Sequence, residues 1–175
     1  MRCAILCNDS EFEESSANLS LPVLQRVCVN GNASDHGLLK FAEYKDGNVF
    51  NARGNKGLCG LGTSYPGRVP FSSKYKFCCS VYTPTNEYKP TLWMKGAPDQ
   101  LIDRCSHIMI NGQKQAFDEQ WRARFQTANL QLASLGERVL GFAMLDLDPA
   151  KFPRNFQWDT EPPFNFPVPL NDGTR

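Results

Sequence analysis

The sequence predicts an α+β fold, an antiparallel sheet flanked by helices, and three features carry that prediction. Residues 108–110, Asn111-Gly112 and residues 113–116 read as two short strands joined by a favoured two-residue hairpin turn, which is expected to add a pair to the sheet. Residues 75–82 and 92–94 read as a second antiparallel pair, with Pro84 and Pro90 punctuating the link. Helical stretches fall irregularly among the strands, without the regular spacing of β-α-β units, which favours hairpins over a parallel sheet.

Taken in order, residues 3–7 are expected to end a helix, and the polar residues 9–18 to form a surface loop. Residues 27–29 are apolar and β-branched enough for a strand. Asn32 or Ser34 can then accept from the free backbone N–H groups of a helix whose apolar positions are Leu38, Leu39 and Ala42. Between Asp46 and Gly67 glycine is frequent and apolar periodicity weak, so a long loop is expected there. Those glycines match no phosphate-binding pattern: G-x-x-x-x-G-K-[ST] is absent, and Gly60-Leu61-Gly62 lacks a third glycine and its flanking strand and helix.

Pro98 sits where a first helical residue would, so residues 95–99 form a strand-to-helix corner offering a lysine and backbone N–H groups. Asp118 is placed to cap the longest helix, in which Trp121, Phe125, Ala128, Leu132 and Leu135 share a face expected to be core, and Gly136 ends it. Residues 139–145 are expected to be a final buried strand. The proline-rich aromatic tail from Phe152 has no period of its own and is expected to pack back as an extended segment.

The composition narrows the function. A chain of 175 residues fits one domain, taken as residues 1–175, with 41% hydrophobic and 21% charged residues. The formal net charge of +1 gives no broad field for nucleic acid or an anionic membrane, so a ligand must be recognised locally. No apolar run approaches a membrane span, and residues 1–7 are too short for a signal-peptide core, so the chain itself is expected to be soluble. The 7 cysteines are scattered, with no C-x-x-C pair, and read as reduced thiols rather than a metal site. Cys105 and His107 lack a second ligand pair. The Asn-x-Ser triplets at Asn8, Asn18 and Asn32 are read as chance.

Several stretches, in the family's order, resemble the nucleotide-binding domain of P-type cation ATPases, closest to the Na+/K+ and H+/K+ ATPase alpha subunits. G-N-A-S-D-H-G-L-L-K at 31–40 resembles the family's G-D-A-S-E-x-A-L-L-K, and V-P-F-S-S at 69–73 its I-P-F-N-S. M-K-G-A-P-D at 94–99 resembles M-K-G-A-P-E, and D-R-C-S at 103–106 matches a further block. D-E-Q-W-R at 118–122 resembles D-E-x-W-R, and G-E-R-V-L-G-F at 136–142 is identical to the family sequence.

The resemblance implies an ATP-binding domain inserted between two halves of a phosphorylation domain. It implies that Phe71 stacks on adenine, that Lys95 and Gly96 line the pocket floor, that Lys76 is a further pocket lysine, and that Arg138 reaches toward the phosphates or braces the site. Ser34 and Asp35 match a polar pair near the adenine amino group. On the residues alone, Phe71 could be a core aromatic, Lys95 a solvated lysine and Arg138 the salt-bridge partner of Glu137. Departures are Asn32 for an acidic residue, Asp35 for glutamate, Gly37 for alanine, and Cys78 for a pocket glutamine.

Strand alternation through residues 76–81 puts Phe77, Cys79 and Val81 on the core face, and Lys76, Cys78 and Ser80 on the other. Cys78 is therefore expected to face the pocket with a thiolate favoured by Lys76 and Lys95, while Cys79 stays inert.

The family's D-K-T-G phosphorylation sequence is absent, and Asn171-Asp172-Gly173-Thr174 lacks the lysine. No catalytic residue is therefore assigned in this chain. The resemblance implies a membrane-embedded parent at the cytoplasmic face of the plasma membrane. Its partners there would be ATP or ADP and its own phosphorylation and actuator domains, with a beta subunit as a further candidate. Magnesium would be bound mainly outside this segment. The rival readings are a stand-alone, non-catalytic adenine-nucleotide-binding regulatory module, and a hydrolase using Asp99 and Asp103.

Overall fold

The computed structural model describes residues 1–47, 49, 67–83, 87–159, 161 and 164–167. Most of the glycine-rich 46–67 stretch, and Asn171-Asp172-Gly173-Thr174, lie outside the described residues. The fold class is α+β, with antiparallel sheets flanked by helices.

Its centre is a four-stranded antiparallel sheet in the order β3 (Arg68–Val69), β4 (Phe77–Tyr82), β5 (Thr91–Gly96) and β8 (Gly141–Asp146). Helices α1 (Arg2–Leu6) and α3 (Ala33–Asp46) cover one face, where Ile5, Leu6, Leu39, Ala42 and Tyr82 form a core. The other face carries Val69, Phe77, Cys79, Leu92 and Met94, closed by Leu101 of α4 (Pro98–Ile102) and by Leu147 and Phe166 from beyond β8. The described part of the tail packs back here through Phe152, Trp158, Phe164 and Phe166, while residues 168–175 lie outside the described residues. Burying side chains of this size contributes about 1.5–3 kcal/mol each, which is why both faces exclude water.

Local chemistry sets the element ends. Asn32 caps α3, its side-chain oxygen accepting from the N–H groups of Ser34 and Asp35, and Gly47 closes the helix in a left-handed conformation. Pro98 opens α4 at the first turn. Asp118 caps α5 (Glu119–Ser134) by accepting from the N–H of Trp121. Asn111 and Gly112 both have positive φ, the requirement of a type I′ turn, and join β6 (His107–Ile110) to β7 (Gln113–Ala116).

Several expectations need correction, the first being the surface loop expected at residues 9–18, which instead holds a two-residue strand and the short helix α2 (Ser16–Leu19), with Ser10 and Asn18 buried. The β6–β7 hairpin does not extend the central sheet; it is a separate two-stranded sheet, as is β1 (Glu11–Phe12) with β2 (Cys28–Val29). No residue of α5 is buried, and Leu132 and Leu135 are 42% and 75% exposed. The helix is tethered at its start, where Arg122 pairs with Asp103 and lies over Phe117, while Phe125 meets Phe117 edge-on. Periodicity defines a helix face but does not supply a layer to cover it. The last strand, β8, is likewise largely exposed, with Phe142, Met144 and Leu145 each close to half exposed.

Asn8 and Asn18, read from sequence only as chance triplets, are buried tethers. The Asn8 amide donates to the carbonyls of Ala4 and Asp35, tying α1 to α3. Asn18 joins the chain at Glu13 to the chain at Val27.

Candidate functional site

Register alone brings the predicted site residues to one end of the sheet. Gly96, the last residue of β5, pairs with Phe77, the first of β4, and with Gly141, the first of β8. Lys76 therefore emerges at this end, and Arg138 lies just before the strand that begins there. Val69 pairs with Cys79 in the antiparallel sense, so the chain leaving β3 runs toward the same end and carries Phe71 with it. Residues 69–76, 95–99, 136–141 and the start of α3 converge although the sequence separates them widely.

The α3 contribution is fixed by an ion pair. Lys95 Nζ donates to Asp35 Oδ1, and both side chains are buried, at 8% and 7% exposure. The Asn32 side-chain amide donates to the other carboxylate oxygen of Asp35 at 3.0 Å, so both oxygens are satisfied. Burying charge without such partners would cost several kcal/mol, which the shared contacts offset. Lys95 is thus neither a solvated surface lysine nor an unpartnered cation. Ser34, one residue earlier, is half-buried at the start of the helix.

Gly96 is required by a close approach. A Cβ there would lie 2.5 Å from the carbonyl oxygen of Lys76 and 2.6 Å from the Cβ of Phe77. The same carbonyl accepts from the Ala97 N–H at 2.9 Å, locking the turn before β4 onto the strand-to-helix corner. Lys76 itself has φ of 57° and is exposed, as is Arg138. Phe71 is 54% exposed, an unusual position for a large ring, and so is not a core aromatic. The end of the sheet presents an exposed ring and two exposed cations around a buried, paired lysine.

Cys78 corrects the sequence reading. It shares a sheet face with Lys95, its pairing partner across the strands, but that position is covered by α1, where Cys78 packs with Cys3, Cys7 and Trp93. Only 4% of it is exposed. Its hydrogen bond with Cys7 and then burial push the thiol up well past its usual range, outweighing the opposing effects of Lys95 and Arg68. The left-handed Lys76 lies outside β4, so the alternation assumed through residues 76–81 breaks at its first residue. Cys79 is buried as expected, with burial raising its thiol to about 12.

Asp99 accepts from neighbouring Gln100, and Asp103 pairs with Arg122. Among the described residues no three histidine, cysteine or carboxylate side chains gather as metal ligands. Among the same residues no helix is long and apolar enough to cross a membrane.

Residues 1–166 match the family described as P-type ATPase, cytoplasmic domain N. The chain belongs to that family. The N domain is also similar to the sodium/potassium-transporting ATPase subunit alpha-A of Artemia franciscana, at 38% identity over 168 residues. That match covers 96% of this chain and 16% of the relative's length. Four of the six sequence blocks that carried the resemblance, at 31–40, 69–73, 94–99 and 136–142, reach the end of the sheet.

Proposed function

We propose that this N domain holds ATP for a cation-transporting P-type ATPase of the Na+/K+ type, presenting it for transfer of the terminal phosphoryl group to an aspartate in a separate domain. The convergence of the four sequence blocks at one end of the sheet, with Phe71 exposed beside them, is the observation that supports this reading. Phe71 offers its face to adenine, an interaction worth roughly 1–3 kcal/mol in other base-stacking proteins. Lys76 and Arg138, exposed at the same end, provide charge-assisted donors to phosphate oxygens. Lys95 and Gly96 form the floor, the half-buried Ser34 offers its hydroxyl toward the adenine amino group, and Asp35, occupied by Lys95 and Asn32, serves the site by fixing Lys95 rather than by contacting the base. Cys78 contributes to this floor only from beneath, as the packed partner of Lys95.

An open, solvent-screened site of this kind binds weakly. A dissociation constant around the millimolar range, about 4–5 kcal/mol, follows from one stacked base and a few screened charges. Phosphoryl transfer also needs an acceptor aspartate and residues that would hold magnesium, which would supply charge neutralisation at the phosphates. In the longer protein the phosphorylation and actuator domains would supply them, at the cytoplasmic face of the plasma membrane, with a beta subunit as a further partner.

The test is titration of the 175-residue chain with ATP, followed by NMR, beside a phosphate-release assay. Saturable shifts at residues 69–76 and 95–99, without hydrolysis above a heat-inactivated control, are expected. Sustained phosphate release would contradict the division of labour proposed here.

A further inference from the structure

Phe71 is half exposed, and its ring has no aromatic partner among the described residues, so its position depends on the backbone that carries it. That backbone leads directly into a tight turn closed between Ser72 and Lys76. Lys76 N–H donates to the Ser72 carbonyl at 2.7 Å, and Lys74 N–H to the Ser72 hydroxyl at 3.2 Å. Tyr75 is the turn's anchor, its ring 6.0 Å from Phe77 in the sheet and 5.5 Å from Phe164 in an edge-on contact.

Phe164 belongs to the aromatic tail, which is itself pinned. Asn165 accepts from the Asp159 N–H at 2.9 Å and donates to the Gln157 carbonyl at 2.7 Å. Phe166 is buried against Trp158, with ring centres 4.7 Å apart, and Trp158 stacks on Phe152 at 5.4 Å. Trp158 also packs on Gly67, where a Cβ would come within 3.2 Å of its ring. The tail therefore grips the chain on both sides of Phe71, at Gly67 before β3 and at Tyr75 after it.

We propose that Tyr75 and Phe164 are positioning residues for the nucleotide base: their ring contact holds the 70–76 turn in the conformation that presents Phe71, coupling the docked tail to nucleotide affinity. The inference rests on the reading of Phe71 as the base platform. By linkage, a bound nucleotide stabilises the docked tail as much as the docked tail strengthens nucleotide binding.

The experiment is a double-mutant cycle on ATP affinity in the 175-residue chain, read by NMR titration, with Phe164→Ala, Phe71→Ala, the double variant and Phe164→Tyr. Phe164→Ala is expected to weaken ATP roughly threefold to tenfold when Phe71 is present and less than about twofold when Phe71 is alanine. Phe164→Tyr is expected to restore the affinity. Equal losses in both backgrounds would show a merely structural role and overturn the proposal, as would no loss in either. Phe71→Ala without effect on affinity would instead overturn the platform reading, and this inference with it. Tyr75→Leu, which keeps apolar bulk, carries the same cycle if Phe164→Ala does not fold.

Discussion

Asp35 and Lys95, 60 residues apart in the chain, form a buried ion pair that ties the first turn of α3 to the end of β5. Removing one partner leaves a charge in a place that excludes water, so Lys95→Met is expected to cost about 3–5 kcal/mol of folding stability. The double variant Asp35→Asn with Lys95→Met is expected to recover much of it. Urea unfolding of the parent chain, Lys95→Met, Asp35→Asn and the double variant checks this, and additive losses would mean that the two side chains are not coupled.

Asn32 serves this pair from outside, capping α3 with its oxygen and holding Asp35 with its amide. Asn32→Ala removes both contacts, and a loss of about 0.5–2 kcal/mol is expected, the range measured for helix caps. Asn32→Asp keeps the cap but sets a second carboxylate against Asp35. A thermal melt that ranks Asn32→Asp between the parent chain and Asn32→Ala is the expected order.

The buried thiols make stability fall at high pH. Cys7, Cys78 and Cys79 have folded-state values raised above the ordinary value of 9.0, so the unfolded chain loses these protons first. Their contribution is complete below pH 9 and is lost as pH rises through the folded values, which for Cys79 means up to about 12. Each such thiol lowers stability by about 1.4 kcal/mol per pH unit within its window. Denaturant unfolding at pH 8, 9 and 10 is expected to show the decline. Timed alkylation followed by peptide mass spectrometry is expected to label half-buried Cys28 and Cys105 before Cys7, Cys78 or Cys79. Early labelling of Cys78 would contradict the packing of α1 on the sheet.

The elements that were legible in the sequence are those whose chemistry is local. Asn111-Gly112, Pro98, Asp118 and the cap at Asn32 each act within a few residues of the backbone they shape, and each is where it was expected. The environment of Cys78 depends on Cys7, 71 residues away, so strand alternation gave its face but not its cover. The exposure of Leu132 and Leu135 has the same origin, since the missing neighbour lies in another layer rather than in the helix. Phe71, Lys95 and Arg138 were singled out through the resemblance. The ion pair of Lys95, and the Asn8 tether that helps hold α3 in place, became visible only in three dimensions.

The α5 stripe offers a direct contrast between periodicity and burial. Leu132→Gln and Leu135→Gln are expected to change stability by no more than about 0.5 kcal/mol, as surface substitutions do, whereas core leucines of the same size cost several times as much. Thermal unfolding of the two variants beside Leu39→Ala, whose leucine is fully buried, makes the comparison.

The central claim is that Phe71, exposed at the end of the sheet where four separated segments meet, is the platform for adenine. The most direct measurement is the ATP dissociation constant of the 175-residue chain and of Phe71→Ala, by NMR titration, with correct folding verified from the unshifted resonances of the β6–β7 hairpin. The account predicts saturable binding in the parent chain and an affinity roughly 5-fold to 150-fold weaker in the variant, the equivalent of about 1–3 kcal/mol. Equal affinity in the two folded proteins, or no binding by the parent chain at millimolar ATP, would contradict it.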